Sequence, residues 1–196
     1  MPASVAAFPS PVARSQSAPD PSPHERLKGM GLRPIGRASD FADEIHDLMA
    51  KTPLFSSLDV DETRKLGEFM YVYDAPPGIT LISEGEAGDF MALIMSGMVD
   101  VLRRNRYNFP SRLAVAHTGH ALGEMSMFDG EPRFASCVTL EQSRLAVLTR
   151  ESIMLVLQEE PRLGNKILLK LVQLLSERLR QTSAKLVSYL EAAREA

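Results

Sequence analysis

The sequence predicts a mainly β fold with flanking helices: a small barrel followed by a long C-terminal helix. Three observations predict it. Seven short strand-like runs follow one another between residues 70 and 148, most of them separated by Gly, Pro, Asn or Asp, the pattern of a sandwich or barrel. After Arg150 the apolar period becomes helical and stays so. The first 39 residues hold seven of the 13 prolines and few large apolar side chains.

Residues 1–38 are expected to form a disordered tail rich in Pro, Ser and Ala, because such a segment buries too little surface to offset its ordering entropy. The folded domain is expected over residues 39–161. Ser39 or Asp40 can cap a helix carrying Phe41, Ile45, Leu48 and Met49 at helical spacing. Asp59 or Asp61 can cap a second, short helix through Leu66, Phe69 and Met70. The strands are read in "MYVYD", "ITLIS", "FMALIM", "MVDVLRR", "RLAVAH", "ASCVTL" and "RLAVL". A short helix, "ESIMLVLQEE", stops at Pro161. A long helix is expected over residues 162–196. On it Leu171, Leu175, Leu179, Thr182, Leu186 and Tyr189 share one face, suited either to packing on the barrel or to a two-helix seam.

Composition narrows the function classes. Hydrophobic residues make up 44% and charged residues 24%, and the net charge is -3, so the chain can bury a core and lacks the basic footprint of a nucleic-acid binder. One cysteine, Cys137, allows no internal disulfide; in its alternating run it reads as a small buried hydrophobe. No apolar run reaches the roughly 18 residues that span a bilayer, and no secretory signal opens the chain. We expect a cytoplasmic protein with no membrane partner. Catalysis is not expected. His24, His46, His117 and His120 lack metal-ligand spacing, and no nucleophile elbow or phosphate loop occurs.

The stretch "GEMSMFDGEPRFASC", residues 123–137, carries the chemistry. Residues Gly123 to Phe128 can form a helical turn whose first N–H groups favour an anion. Arg133 offers a fork of donors to phosphate oxygens, and Glu124 can accept from a hydroxyl. The bland alternative is that Glu124 and Arg133 pair with each other, or with Asp129 and Glu131 at the surface.

Together with "LISEGEAGDFMALIMSGMVDVLRR", this stretch resembles the cyclic-nucleotide-binding domain family. The family has an E-G-x-x-G-D turn, matched by Glu84, Gly85, Gly88 and Asp89, then S-G-x-V, matched by Ser96, Gly97 and Val99. A G-E … P-R-x-A cassette follows, matched by Gly123, Glu124, Pro132, Arg133 and Ala135. The resemblance spans about residues 53 to 190 and implies a β-roll or jelly-roll barrel of the cyclic-nucleotide-binding type. It also implies that Arg133 holds the phosphodiester and Glu124 the ribose 2′-hydroxyl, with Gly123, Met125, Ser126, Phe134 and Ala135 lining the site. Gly85, Gly88 and Gly97 are read as positive-φ turn residues. No cofactor is expected; the expected ligand is cAMP, cGMP or cyclic di-GMP.

The run "RLRQTSAKL" resembles the dimer helix of bacterial regulators in the cAMP receptor protein group, which implies that Thr182 and Ser183 meet the base across a homodimer. Those regulators continue into a DNA reader, which is not expected here. The chain is therefore read as a stand-alone sensor that signals through an unknown effector protein. The alternative is a degenerate barrel that serves only as an interaction module. One position departs from the family pattern: the residue after the cassette arginine, usually small, is Phe134. Strict strand alternation turns it away from Arg133. A chain still leaving the turn at Pro132 brings it to the pocket rim, where we expect it to select among ligands by disfavouring a snug cAMP and stacking on a base.

Overall fold

A computed structural model describes residues 22–195. Helix α1 (Pro23–Gly29) leads into strand β1 (Arg33–Arg37) and a 3-10 turn (Ala38–Phe41), followed by α2 (Ala42–Lys51) and α3 (Val60–Glu68). Eight strands come next: β2 (Tyr71–Ala75), β3 (Thr80–Ile82), β4 (Phe90–Ser96), β5 (Met98–Arg104), β6 (Pro110–His117), β7 (Ala121–Leu122), β8 (Ser136–Thr139) and β9 (Ser143–Thr149). The short helix α4 (Glu124–Asp129) lies between β7 and β8, and α5 (Arg150–Glu159) and α6 (Pro161–Glu195) follow β9.

The strands form two antiparallel sheets, β1-β2-β9-β4-β7 and β3-β8-β5-β6. This is the β-roll with a long C-terminal helix that the sequence predicts. Strand β4 explains its own unbroken apolar run. Phe90, Ala92 and Ile94 join the core between the sheets with Tyr73, Val99, Cys137 and Val147. Met91, Leu93 and Met95 face the other way, into a second core with Ile45, Met49, Leu66, Ile153 and Ile167 from the helices and Phe55 from the turn after α2. A strand covered on both faces has no polar side to show.

The expected disorder of residues 1–38 does not hold from Ser22 onward; residues 1–21 lie outside the described residues. Leu27 and Leu32 are 1% and 3% exposed and belong to the inter-sheet core. Strand β1 pairs with β2, and His24 Nδ1 lies 2.5 Å from the Tyr73 hydroxyl. The Pro and Ser that read as disorder are here a helix start. Ser22 caps the helix in a reciprocal box with Glu25, and Pro23 occupies its first turn, where a missing N–H costs nothing.

The other expected caps divide. Asp59 caps α3 in a box with Glu62. Neither Ser39 nor Asp40 caps α2; Asp40 instead accepts from the Arg37 N–H at 3.1 Å within the 3-10 turn. Helix α6 divides the long stripe in two. Leu163, Ile167 and Leu171 are buried against the barrel, whereas Leu175, Leu179, Leu186 and Leu190 are 39%, 69%, 58% and 55% exposed. The Tyr189 side chain lies outside what is described. Among the described residues no helix is long and apolar enough to cross a membrane.

If α1 is an integral part of the core, Leu27→Ala should destabilise the fold by about 2–5 kcal/mol, the cost of a buried leucine cavity. Urea denaturation measures it, and an unchanged midpoint would show that α1 does not contribute.

Candidate ligand-binding site

Strand β7 ends at Leu122, and Gly123 turns the chain with φ +79° into α4. Helix α4 closes at Gly130, and the chain returns through Pro132 and Arg133 to β8. Two stretches far apart in sequence lock together here. The turn between β3 and β4 receives the returning segment through Gly85 N–H to Arg133 O at 2.9 Å and Arg133 N–H to Glu86 O at 2.8 Å. The Glu84 N–H adds a bond to Ser136 Oγ at 2.9 Å. The two motif halves read in the sequence are thus two walls of one site.

Arg133 is the site's central cation and is only 4% exposed. Its Nη1 donates to Gly123 O at 2.8 Å and its Nη2 to Phe90 O at 2.7 Å. The guanidinium also lies 4.7 Å from the centre of the Phe90 ring. Burial pulls its pKa below the ordinary arginine value, and Asp89 opposes that shift. Both terminal nitrogens keep a second hydrogen outside these bonds, and Nε keeps its own. The bland surface pairing of Arg133 with Glu124, Asp129 or Glu131 is therefore not what the structure contains.

Glycine is required at two neighbouring positions. A Cβ on Gly123 would strike Arg133 Nη1, and φ +79° disfavours any side chain there. A Cβ on Gly88 would lie 2.8 Å from Arg133 Nε and 2.9 Å from Cζ, and would overlap the Ser126 side chain. Gly88 thus serves close approach; unlike Gly85 (φ +84°) and Gly97 (φ +98°), it does not adopt the expected positive φ.

Gly123, Glu124, Met125, Ser126, Arg133, Phe134 and Ala135 all line one cavity of about 200 Å³, with Ile82, Val101 and Cys137 on its inner wall. Glu124 and Ala121 also line an adjoining cavity of about 140 Å³, closed by Thr52, His120 and the α6 residues Leu171, Leu174 and Leu175. Cys137 is buried, and burial pushes its thiol up to about 12, so it acts as apolar wall. Phe134 is not in an extended strand. The chain bends at residues 134 and 135, alternation fails, and the ring sits at the cavity mouth, 53% exposed. Thr182 and Ser183 are not brought to the cavity within one chain; both are exposed on α6.

Two contributors escaped the sequence reading. Arg150, at the start of α5, donates to Met127 O at 2.7 Å, Ser126 O at 2.7 Å and Gly88 O at 2.9 Å. Arg26 of α1 forms an ion pair with Asp89. No local signal marks either one, since an arginine in a helix is unremarkable until its acceptors are known.

The sequence profile of the cyclic nucleotide-binding domain matches residues 74–160. A crystal structure of a cyclic nucleotide-binding domain from Methylobacillus flagellatus superposes with a TM-score of 0.70 at 36% identity, covering 80% of this chain and 88% of that one. The chain belongs to the cyclic nucleotide-binding domain family. Among curated relatives, the cyclic AMP receptor protein of Thermus thermophilus is 30% identical over 74% of this chain and 66% of its own length. A CRP-like cAMP-activated global transcriptional regulator of Mycobacterium tuberculosis is 26% identical over 74% of this chain. The match spans 62% of that regulator's length. Cyclic-nucleotide sensing is thus the general function that family and fold support.

If Gly88 is there to admit the Arg133 side chain, Gly88→Ala should cost about 1–3 kcal/mol through overpacking. Gly29→Ala, where no atom lies within 4 Å of the added carbon, serves as the control. Equal midpoints for the two variants in chemical denaturation would remove this role for Gly88.

Proposed function

We propose that this chain is a regulatory, non-catalytic cytoplasmic sensor that binds a cyclic mononucleotide or cyclic di-GMP beside α4 and signals to an effector protein. The observation that carries the reading is the convergence of Glu124 and Arg133 on one cavity, with the cation buried and part of its donor set unspent. A phosphodiester removed from water needs such a cation and several N–H donors. Arg133 would take the phosphate, Glu124 the ribose hydroxyl, and the first backbone amides of α4 the remaining phosphate oxygens. The names of the Thermus and Mycobacterium relatives make cAMP the first ligand to test.

A second reading has one observation in its favour. The Arg133 guanidinium is already bonded to two backbone carbonyls, and a phenylalanine stands at the mouth of the cavity. Both features suit a barrel that has given up its ligand and serves as an interaction module. Calorimetric titration with cAMP, cGMP and cyclic di-GMP separates the two readings: heat with one of them supports the sensor, and heat with none supports the module.

Arg133→Ala should weaken a bound cyclic nucleotide by about 2–5 kcal/mol, because the anion is left without its cation. The fold should also lose about 1–3 kcal/mol, since Gly123 O and Phe90 O lose a donor. An affinity within twofold of wild type would remove Arg133 from the ligand site.

The exposed leucines of α6 support a homodimer through that helix, since apolar surface of this extent marks an interface. A second chain packed there would also bring Thr182 and Ser183 into play. Leu179→Glu sets a charge in the seam, and sedimentation should then report a monomer where wild type is dimeric. A monomeric wild type would end this proposal.

A further inference from the structure

At the mouth of the cavity Phe134 meets a residue 31 positions away in the numbering of the chain. The guanidinium carbon of Arg103, on β5, lies 3.8 Å from the centre of the Phe134 ring. Phe134 lines the nucleotide cavity, and Arg103 lines the groove on the other side of it. The neighbouring cations are engaged elsewhere. Arg112 grips Asp100 through two bonds at 2.6 and 2.7 Å, and Arg104 Nη1 donates to Asn108 at 3.1 Å. Among the described residues Arg103 has only Glu84 Oε1 at 3.9 Å, beyond hydrogen-bond distance, and its side chain is 46% exposed. A half-exposed aromatic ring and an arginine fork free of hydrogen bonds therefore meet at the entrance to a cavity built for a cyclic phosphate.

We propose that Arg103 and Phe134 form a guanine-selective base site at the mouth of the nucleotide cavity. This inference rests on the cyclic-nucleotide reading of that cavity. Phe134 offers a face for stacking, which every base accepts about equally and which cannot choose between purines. The choice comes from Arg103. Its planar fork matches two adjacent acceptors, and guanine presents O6 and N7 side by side, whereas adenine replaces O6 with an amino donor that faces the guanidinium unfavourably. The cation–π contact that parks Arg103 on the ring is weak where it is solvated, so the fork can pivot from ring to base edge without breaking a hydrogen bond. Stacking and edge recognition then come from residues already in contact.

The test is calorimetric titration of the full chain with cGMP, cyclic di-GMP and cAMP, on wild type, Arg103→Met and Phe134→Ser. Methionine keeps an apolar stem on the ring and removes every N–H. Wild type should prefer a guanine ligand over cAMP by about tenfold or more, the worth of one bidentate pair. Arg103→Met should lose that factor on the guanine ligand and hold cAMP within twofold. Phe134→Ser should weaken the guanine ligand and cAMP by a similar factor, since stacking serves either purine. Binding of cGMP assigns the site to a mononucleotide, and binding of cyclic di-GMP alone assigns it to a dinucleotide; either outcome upholds guanine selection. Equal affinity of wild type for cAMP and the guanine ligands, or an Arg103→Met variant that weakens all of them alike, overturns the selectivity and leaves the sensor reading standing. Absence of heat with all three overturns the sensor reading itself, and guanine selection with it.

Discussion

A buried arginine is the constraint around which the site is arranged. Taking a guanidinium out of water is costly unless its donors are met and a counter-charge stands near. Arg133 is met by the carbonyls of Gly123 and Phe90, and Asp89 supplies the nearby negative charge. Each partner brings a requirement of its own. Gly123 must turn left-handed to aim its carbonyl while leaving room for Nη1. Gly88 must lack a side chain so that the turn between β3 and β4 can approach Nε. Asp89 in turn holds Arg26, which ties α1 to the same turn. Several motif positions that look independent in the sequence are conditions for burying one cation.

The same cation is bound by the fold and, in the proposed reading, offered to a ligand. Its two bonded hydrogens fix the plane of the guanidinium against Phe90 O and Gly123 O, and that orients the rest of its fork. This is pre-organisation: the ordering entropy of a long side chain is spent in folding and is not charged again on binding. Ile82, Val101 and Cys137 give the cavity an apolar stretch of lining, beside which an ion pair with phosphate is strengthened relative to water.

Much of the fold could be read from the chain because the determining signals are local. Alternation, turn residues and the helical period located all seven anticipated strands and both C-terminal helices. Asp59 and Asp61 both suit the cap of α3 in the sequence, and the box with Glu62 decides for Asp59. What escaped is what depends on distant partners. Strand β1 has a glycine, a proline and two arginines in five residues, RPIGR; it is a strand because β2 lies beside it. Strand β7 has two residues and exists only against β4. Helix α1 was mistaken for tail because Ser22 and Pro23 carry opposite meanings before and within a helix. In the site, the G-E and P-R motifs located Glu124 and Arg133, but no pattern could tell that Gly88 serves approach and not turning, or that Arg150 reaches Ser126 and Met127. The face taken by Phe134 was decided by a bend after Pro132 that breaks the strand period.

The contacts that would carry a binding event outward are already in place. Helix α4 is held from one side by Arg133 on the carbonyl of its N-cap, Gly123, and from the other by Arg150 on the Ser126 and Met127 carbonyls. Arg150 opens α5, and its own N–H donates to Asp89 O at 2.7 Å. In the proposed reading a phosphate takes the remaining donors of Arg133, beside the bond that holds the start of α4, while Arg150 ties the rest of α4 to the first turn of α5. Helix α5 packs on α6 through Leu157 against Gly164, so closely that a Cβ on Gly164 would lie 3.0 Å from the Leu157 Cα. A contact that tight transmits displacement because it has no slack to absorb it. Contacts thus link Arg133 to α4, α4 to α5 and α5 to α6, the helix whose outer leucines stand exposed.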